Sequence, residues 1–429
     1  MPSGEHRDIF LTWARGLLFL GIFLIPFTNI RGGGVQISDL IFVVGFIVLL
    51  FSKQRPNVEA MPVSWQVALV LVVIGGIGAC VVALDLILSV LVLARMIFVL
   101  LFWPWLIRHV ITTRSLKHWA MYAFVLGCAA SGFAEILQKL HIYPLPAAAG
   151  GRAVGFTLQP DELGACLALG LVFAIGLAME LGFGKRLHRL ISVMLIIFGL
   201  LLSASVSAML AALGAVFILL VLRRVNLRRV ITGAVVIVVV YAAAIGVLGA
   251  SNPLGRLQST LGNSSSVNTG TLRIDTYKAA WHGIAEEPLI GHGLDQVSGG
   301  VYFDFYSGAA YAPHNLILIL WYQGGFLFLF GSLMAIFVAL WRMFKLRRRD
   351  PTTDIIFAGG VASLVYAQTA PVIFQTYFWL PFVLAMAYSL VGRSDGPSSA
   401  ASQLAEPPSP PVAAQVDEMA PFQAPVSGS

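Results

Sequence analysis

Runs of roughly 20 predominantly apolar residues, separated by short polar connectors, recur along almost the whole chain. Read against their Gly, Pro and charged punctuation, they predict about twelve membrane-spanning helices. The predicted spans are 9–30, 35–51, 64–84, 86–107, 119–139, 163–181, 190–203, 205–222, 230–250, 313–341, 353–370 and 372–391. The pairs around Asp85, Ala204 and Pro371 have almost no linker and read as tight hairpins or kinked re-entrant segments. A membrane β-barrel would instead show alternating segments of about 10 residues, and the sequence has no such pattern. The predicted fold class is therefore all-α: a polytopic membrane protein with a partly helical outer loop.

Composition strengthens this picture. Hydrophobic residues make up 58% of the chain and charged residues only 11%, against about 25% charged in an ordinary soluble domain. The net charge of +7 suggests nucleic acid until the charges are placed. Most fall in alternate connectors, where basic residues set membrane orientation. With a cytoplasmic N-terminus, the inner connectors carry Lys53 and Arg55, then Arg108, Arg114 and Lys117, then Lys185, Arg186 and Arg189. Arg223, Arg224, Arg228 and Arg229 follow, and then the Arg342–Arg349 group. The outer connectors hold only Arg31, Lys139, Arg152, Arg256, Arg273 and Lys278. Both termini are expected to be cytoplasmic, with no nucleic-acid partner. The first run has no short apolar core followed by a small-residue cleavage site, so it reads as a retained helix. Cys80, Cys128 and Cys166 lie in or beside apolar runs without metal-binding spacing and read as small packing residues.

Two outer segments are longer than a turn. The first, about 140–162, contains Gly150-Gly151-Arg152-Ala153-Val154-Gly155-Phe156. The second, 251–312, opens with Gly262-Asn263-Ser264-Ser265-Ser266. Thr271 then reads as the N-cap of a short amphipathic helix to about Ala285. Leu272, Ala279, Ala280 and Ile284 form one predicted face, with Arg273, Tyr277 and Lys278 pointing elsewhere. Pro288, Gly291 and Gly293 end it in a turn. Residues 1–391 thus form one transmembrane domain that includes the outer loop. Residues 392–429, rich in Pro, Ser, Ala and Gln, read as a disordered cytoplasmic tail.

Because the outer connectors are nearly stripped of positive charge, their remaining cations are candidates for holding an anion. Arg152, Arg273 and Lys278 are the foremost, since an arginine fork binds phosphate through parallel charge-assisted bonds. The alternative is that they are solvated loop cations. His314, in Tyr311-Ala312-Pro313-His314-Asn315, sits at the outer rim of a span and is a candidate proton acceptor near neutral pH. Its bland alternative is a helix-end histidine bonded to a carbonyl. His282, His292, His314, Asp295 and Asp304 match no recognised metal-ligand spacing. Arg95 lies about 14 Å inside its span at 1.5 Å per residue. It could pair with Asp39 or Glu135, or reach a ligand phosphate in a hydrated cavity. Tyr277 and Asn315 are further candidates to line such a cavity.

Gly151-Arg152-Ala153-Val154-Gly155-Phe156, followed by Gln159-Pro160-Asp161-Glu162-Leu163-Gly164, resembles the "R-x-x-G…P-N-E-x-G" stretch of the O-antigen ligase and polymerase superfamily of bacterial membrane glycosyltransferases. Thr271-Leu272-Arg273 with Tyr277 and Trp281, then Pro288-Leu289-Ile290-Gly291-His292-Gly293, is similar to its "R…W…P-x-x-G-x-G" stretch. Pro313-His314-Asn315 with Gly324-Gly325 is similar to its "H-N…G" signature. The resemblance covers approximately residues 1–391. It departs at Asp161, where the family usually has asparagine, and at Ser203-Ala204-Ser205, where relatives often carry an arginine between serines.

The resemblance implies a multi-pass protein of the bacterial inner membrane with a periplasmic active site. It implies inverting, metal-independent transfer of a glycan from an undecaprenyl (polyprenyl) pyrophosphate carrier, without a cofactor. His314 would be the catalytic base, and Arg152, Arg273 and Lys278 the donor-pyrophosphate ligands. Partners would be the lipid-linked glycan, a lipid or glycan acceptor, membrane lipids and other polysaccharide-assembly proteins. Ligase and polymerase differ only in the acceptor, which no local motif reports. A lipid-linked oligosaccharide flippase or transporter is the alternative class, and a non-catalytic scaffold a third.

Overall fold

The computed structural model describes residues 8–32, 35–53, 60–142, 152–182, 187–225, 269–295, 302–304 and 309–387, with 228 and 300. Among them, the helices are α1 (Ile9–Leu24), α2 (Ile37–Leu50), α3 (Val63–Val82), α4 (Leu86–Ile97) and α5 (Trp103–Val110). They continue as α6 (Arg114–Lys139), α7 (Pro160–Leu181), α8 (Leu187–Leu202) and α9 (Val206–Leu222). Then come α10 (Thr269–Glu286), α11 (Leu316–Leu346), α12 (Thr352–Ala367) and α13 (Thr376–Leu384). Two short antiparallel hairpins accompany them, β1 (Arg31–Gly32) with β2 (Val35–Gln36) and β3 (Tyr302–Asp304) with β4 (Ala309–Tyr311).

Five of these stretches are long and apolar enough to cross a bilayer: α3, the continuous Leu86–Val110 stretch, α6, α7 and α11. Helices α1, α2, α8, α9 and α12 are apolar but shorter, and α13 has only 9 residues. The predicted span 230–250 and the predicted tail 392–429 lie outside the described residues. The helical, multi-pass membrane architecture therefore stands, while five rather than about twelve described segments have full spanning length. At Ala204, read as a tight hairpin or a kinked re-entrant segment, α8 and α9 are separate helices joined by a turn across 203–205, with Ala204 at φ +50°. At Asp85 the carboxylate caps α4, accepting from Leu88 N at 3.0 Å.

One helix is interrupted for a legible reason. Between α4 and α5, Phe98–Phe102 forms a π-helical turn ahead of Pro104. Pro104 has no N–H to offer the carbonyl four residues back, at Leu100. That carbonyl instead accepts from the Trp65 indole N–H at 2.7 Å, and Trp65 is buried.

Helix α7 is the axis of the bundle, packed on α6, α8, α9 and α12. Its Gly and Ala positions let those helices approach closely, the usual means of association where lipid removes the hydrophobic drive. At one end of the bundle, charges tie the helix termini together. Glu180 at the end of α7 meets Arg114, His118 and Arg223. Lys117 pairs with buried Asp350 at 2.9 Å, and Arg223 also reaches Asp354. These residues come from α6, α7, α9, α12 and the α11–α12 link, so all those termini share one end. The opposite end carries His314, Arg152 and the 203–205 turn.

Candidate functional site

His314 lies two residues before α11. The expected helix start at Pro313 is displaced: α11 begins at Leu316, and Asn315 is its N-cap. The Asn315 side-chain oxygen accepts from Ile317 N (3.0 Å) and Leu318 N (3.1 Å), two of the donors a helix start leaves unpaired. Its amide nitrogen donates to Gln368 Oε1. Asn315 is thus a structural cap, and Asn315→Ala is expected to cost about 1 kcal/mol, read as a lowered unfolding midpoint in detergent. This geometry leaves His314 in a non-helical position with its ring turned back on its own segment. Nδ1–H donates to Ala312 O at 3.0 Å, so the lone pair sits on Nε2.

Helix α10 lies over this end and packs on α11. It starts two residues before the expected cap at Thr271, and it buries Thr276, Ala280, Gly283 and Ile284. Ala280 and Ile284 belong to the predicted face, while Ala279 is only half-buried. The Tyr277 hydroxyl donates to the His314 carbonyl at 2.8 Å, fixing the helix to the histidine segment. Lys278 is exposed and borders an open groove of about 690 Å³ with Tyr277, Trp281, His282 and Leu318.

The Pro288–Gly293 motif proves to be a clasp. Helix α11 is broken at Gly325, whose φ is +70° and ψ −175°. Carbonyls freed at the break accept from the clasp: His292 N to Tyr322 O (2.9 Å) and Gly293 N to Gln323 O (3.0 Å). Phe326 N and the Trp321 indole both donate to Pro288 O. The two backbones touch so closely that a Cβ at Gly325 would stand 2.1 Å from Leu289 O. The His292 ring stacks on Tyr322 at 4.4 Å and bonds Gly283 O, so this histidine is structural.

The Arg152 motif is anchored on α6. Gln138 Oε1 accepts from Val154 N and Gly155 N (3.0 and 3.3 Å), and Ser131 Oγ accepts from Phe156 N (3.1 Å). Gly155 has φ +54°, and a Cβ there would stand 2.7 Å from Ser131 O. The loop delivers Arg152 to the start of α7. There its guanidinium meets both carboxylate oxygens of Asp161 (2.7 and 3.4 Å) while Nε donates to Ser203 O (2.8 Å). Asp161 is itself 51% exposed. Beneath the loop lies Glu135, fully buried, with both oxygens lacking a hydrogen-bond partner among the described residues.

Electrostatics join these pieces. Burial lowers the His314 pKa below the usual histidine value, and the Arg273 charge lowers it further. The hydrogen bond to Ala312 and the Asp161 carboxylate act in the opposite sense. Burial raises the Tyr277 hydroxyl, and Arg273 partly offsets that rise. Burial and the cation of α10 thus favour the neutral imidazole of His314, against the pull of the Asp161 carboxylate.

Of the residues singled out from sequence, His314, Arg273, Tyr277, Arg152 and Asn315 gather at one end of the bundle, with Lys278 on the rim. Arg95 is engaged elsewhere, paired with Asp39 at 3.3 Å and bonded to Thr376 at 3.2 Å. Glu135, its other suggested partner, faces the Arg152 loop instead. Arg256 lies outside the described residues. Sequence reading missed the partners: Gln138, Ser131, the Ser203 carbonyl, and Tyr366, whose hydroxyl donates to Asp161 O at 2.6 Å. The one available signal was Asp161, a carboxylate where the family pattern has an amide.

No curated protein matches the chain. One family model does match, the one described as O-Antigen ligase, over residues 191–333. That segment, a third of the chain, includes the 203–205 turn, Arg273, Tyr277, His314 and Gly325, while Arg152 and Arg95 lie outside it. The match supports placing this multi-pass membrane protein in the O-antigen ligase and polymerase superfamily.

Proposed function

We propose that the protein is a membrane glycosyltransferase of the O-antigen ligase and polymerase type. It would transfer glycan from a polyprenyl-pyrophosphate donor at the outer face of the bacterial inner membrane. The observation that carries this reading is the His314 imidazole, with its lone pair on Nε2, beside Arg273 and the Arg152–Asp161 pair.

The chemistry follows from what each group can do. An acceptor hydroxyl is a weak nucleophile, and His314 Nε2 takes its proton as the oxygen attacks the anomeric carbon. The C–O bond to the pyrophosphate breaks as the new bond forms, and the electron pair leaves with the phosphate oxygen. A single displacement of this kind inverts the anomeric centre. Arg273 and Arg152, with Lys278 at the rim, hold the donor and stabilise the charge that develops on the leaving group. The half-exposed Asp161 yields its place on Arg152 to the pyrophosphate. The energy of the carrier linkage drives transfer, and no resident metal is required.

The test is a reconstituted reaction without metal or nucleotide, with a polyprenyl-pyrophosphate glycan and either lipid A–core or a second lipid-linked repeat unit. Growth of one acceptor supports the transferase reading and decides between ligase and polymerase. If the donor is instead carried across a proteoliposome membrane unchanged, the flippase reading replaces it.

The pH profile provides a second check. The base works when unprotonated, so activity falls as pH drops through the His314 pKa. Asp161→Asn removes a charge that raises that pKa. The acid limb of kcat/KM is expected to move to lower pH. Arg273→Gln removes a lowering charge, and the residual activity is expected to show the limb at higher pH.

A further inference from the structure

The end of the bundle opposite His314 contains a cavity that the proposed reaction does not use. It has a volume of about 180 Å³ and lies among α6, α7 and α8. Ser115, His118 and Tyr122 of α6, with His188 and Arg189 of α8, form its polar side, and Val125, Ala174 and Leu177 its apolar floor. Arg189 donates one guanidinium nitrogen to Gly182 O at 3.1 Å, which fixes its direction at the cavity. Its other nitrogens have no hydrogen-bond partner among the described residues. His188 stands edge-on to the Tyr122 ring at 5.7 Å.

We propose that this cavity binds the head group of an anionic glycerophospholipid. A basic, hydroxyl-bearing pocket between membrane helices suits a lipid phosphate. What singles out a lipid over a free phosphate is the surface that continues from it. Trp119 at the cavity mouth, Leu126 and Phe133 are all exposed on α6. Spaced seven residues apart, they form one stripe running about 21 Å along the helix at 1.5 Å per residue, comparable to an acyl chain. The head group would occupy the cavity and one chain would lie on the stripe. The site is independent of the chemistry at His314, so its failure would leave the transferase reading intact.

The test uses the full-length, delipidated protein in detergent, with bound lipids counted by native mass spectrometry. Probes are phosphatidylglycerol, phosphatidylcholine of the same chains, and glycerol 3-phosphate. Wild type is expected to retain one phosphatidylglycerol about tenfold more tightly than phosphatidylcholine, from charge-assisted bonds to the phosphate. Arg189→Gln should erase that preference and Arg189→Lys should restore part of it. Arg349→Gln, at an exposed basic position of the same end, should leave it unchanged. Equal preference in Arg189→Gln and wild type would overturn the proposal, as would equal loss in Arg349→Gln. Glycerol 3-phosphate displacing the lipid at comparable concentration would also overturn it, because the chain would then contribute nothing.

Discussion

His314→Ala is expected to lower the rate of glycan transfer by about 10²–10⁴, the usual contribution of a positioned general base. Protein yield and unfolding midpoint should stay near wild type. Among the described residues the side chain makes one hydrogen bond, to Ala312 O within its own segment, and the contact to α10 comes from the His314 carbonyl, which alanine keeps. Loss of activity without loss of fold therefore separates a chemical role from a structural one. Donor binding provides the complement. His314→Ala should bind the polyprenyl-pyrophosphate donor about as well as wild type, whereas Arg273→Gln should bind it more weakly. If the alanine variant transfers glycan at the wild-type rate, the base lies elsewhere and the assignment of this site fails.

The second large effect concerns backbone alone. Gly325→Val is expected to destabilise the protein by about 3–5 kcal/mol, enough to abolish accumulation of folded protein. Two costs add. The residue at 325 occupies a region of backbone space that is almost glycine-only. Its Cβ would also press into the Leu289 carbonyl, so the clasp must withdraw from the break in α11. Withdrawal would strand the Tyr322 and Gln323 carbonyls at the depth where they now accept from His292 and Gly293. Leu289→Ala, which keeps all the backbone bonds, should be nearly silent because that side chain is exposed. Unfolding measured in detergent for both variants distinguishes a backbone clasp from ordinary side-chain packing.

Much of this architecture was legible because a bilayer imposes a simple grammar on sequence. Apolar runs and the punctuation between them marked out the helical, multi-pass character and the two longer connecting segments. The motif around Gly291 and Gly293 was visible as a turn, but its partner was not. A break in a helix 32 residues later leaves no trace in the local pattern except the paired glycines 324 and 325. Span lengths were less legible, since periodicity does not reveal how much of α13 or α12 is wound as helix. Side-chain partnerships were least legible of all. Arg152 could be named as an anion ligand, but its resting partner depends on how the loop folds back over Ser131 and Gln138. Arg95 had two plausible carboxylates, and only packing chose Asp39 over Glu135.

The pairing of Arg152 with Asp161 bears on how the proposed site copes with an ion-rich surrounding. An empty cationic pocket at a membrane surface would fill with chloride, free phosphate or the head groups of neighbouring lipids. With a carboxylate already in the fork, a monovalent anion gains little by entering, since it must replace two bonds with fewer and leave Asp161 unneutralised. A pyrophosphate brings more charge and more oxygens, and it can engage Arg273 in the same step. Asp161, where the family the chain resembles usually has asparagine, would then act as a built-in competitor, trading some affinity for immunity to common anions. Salt should inhibit Asp161→Asn more strongly than wild type.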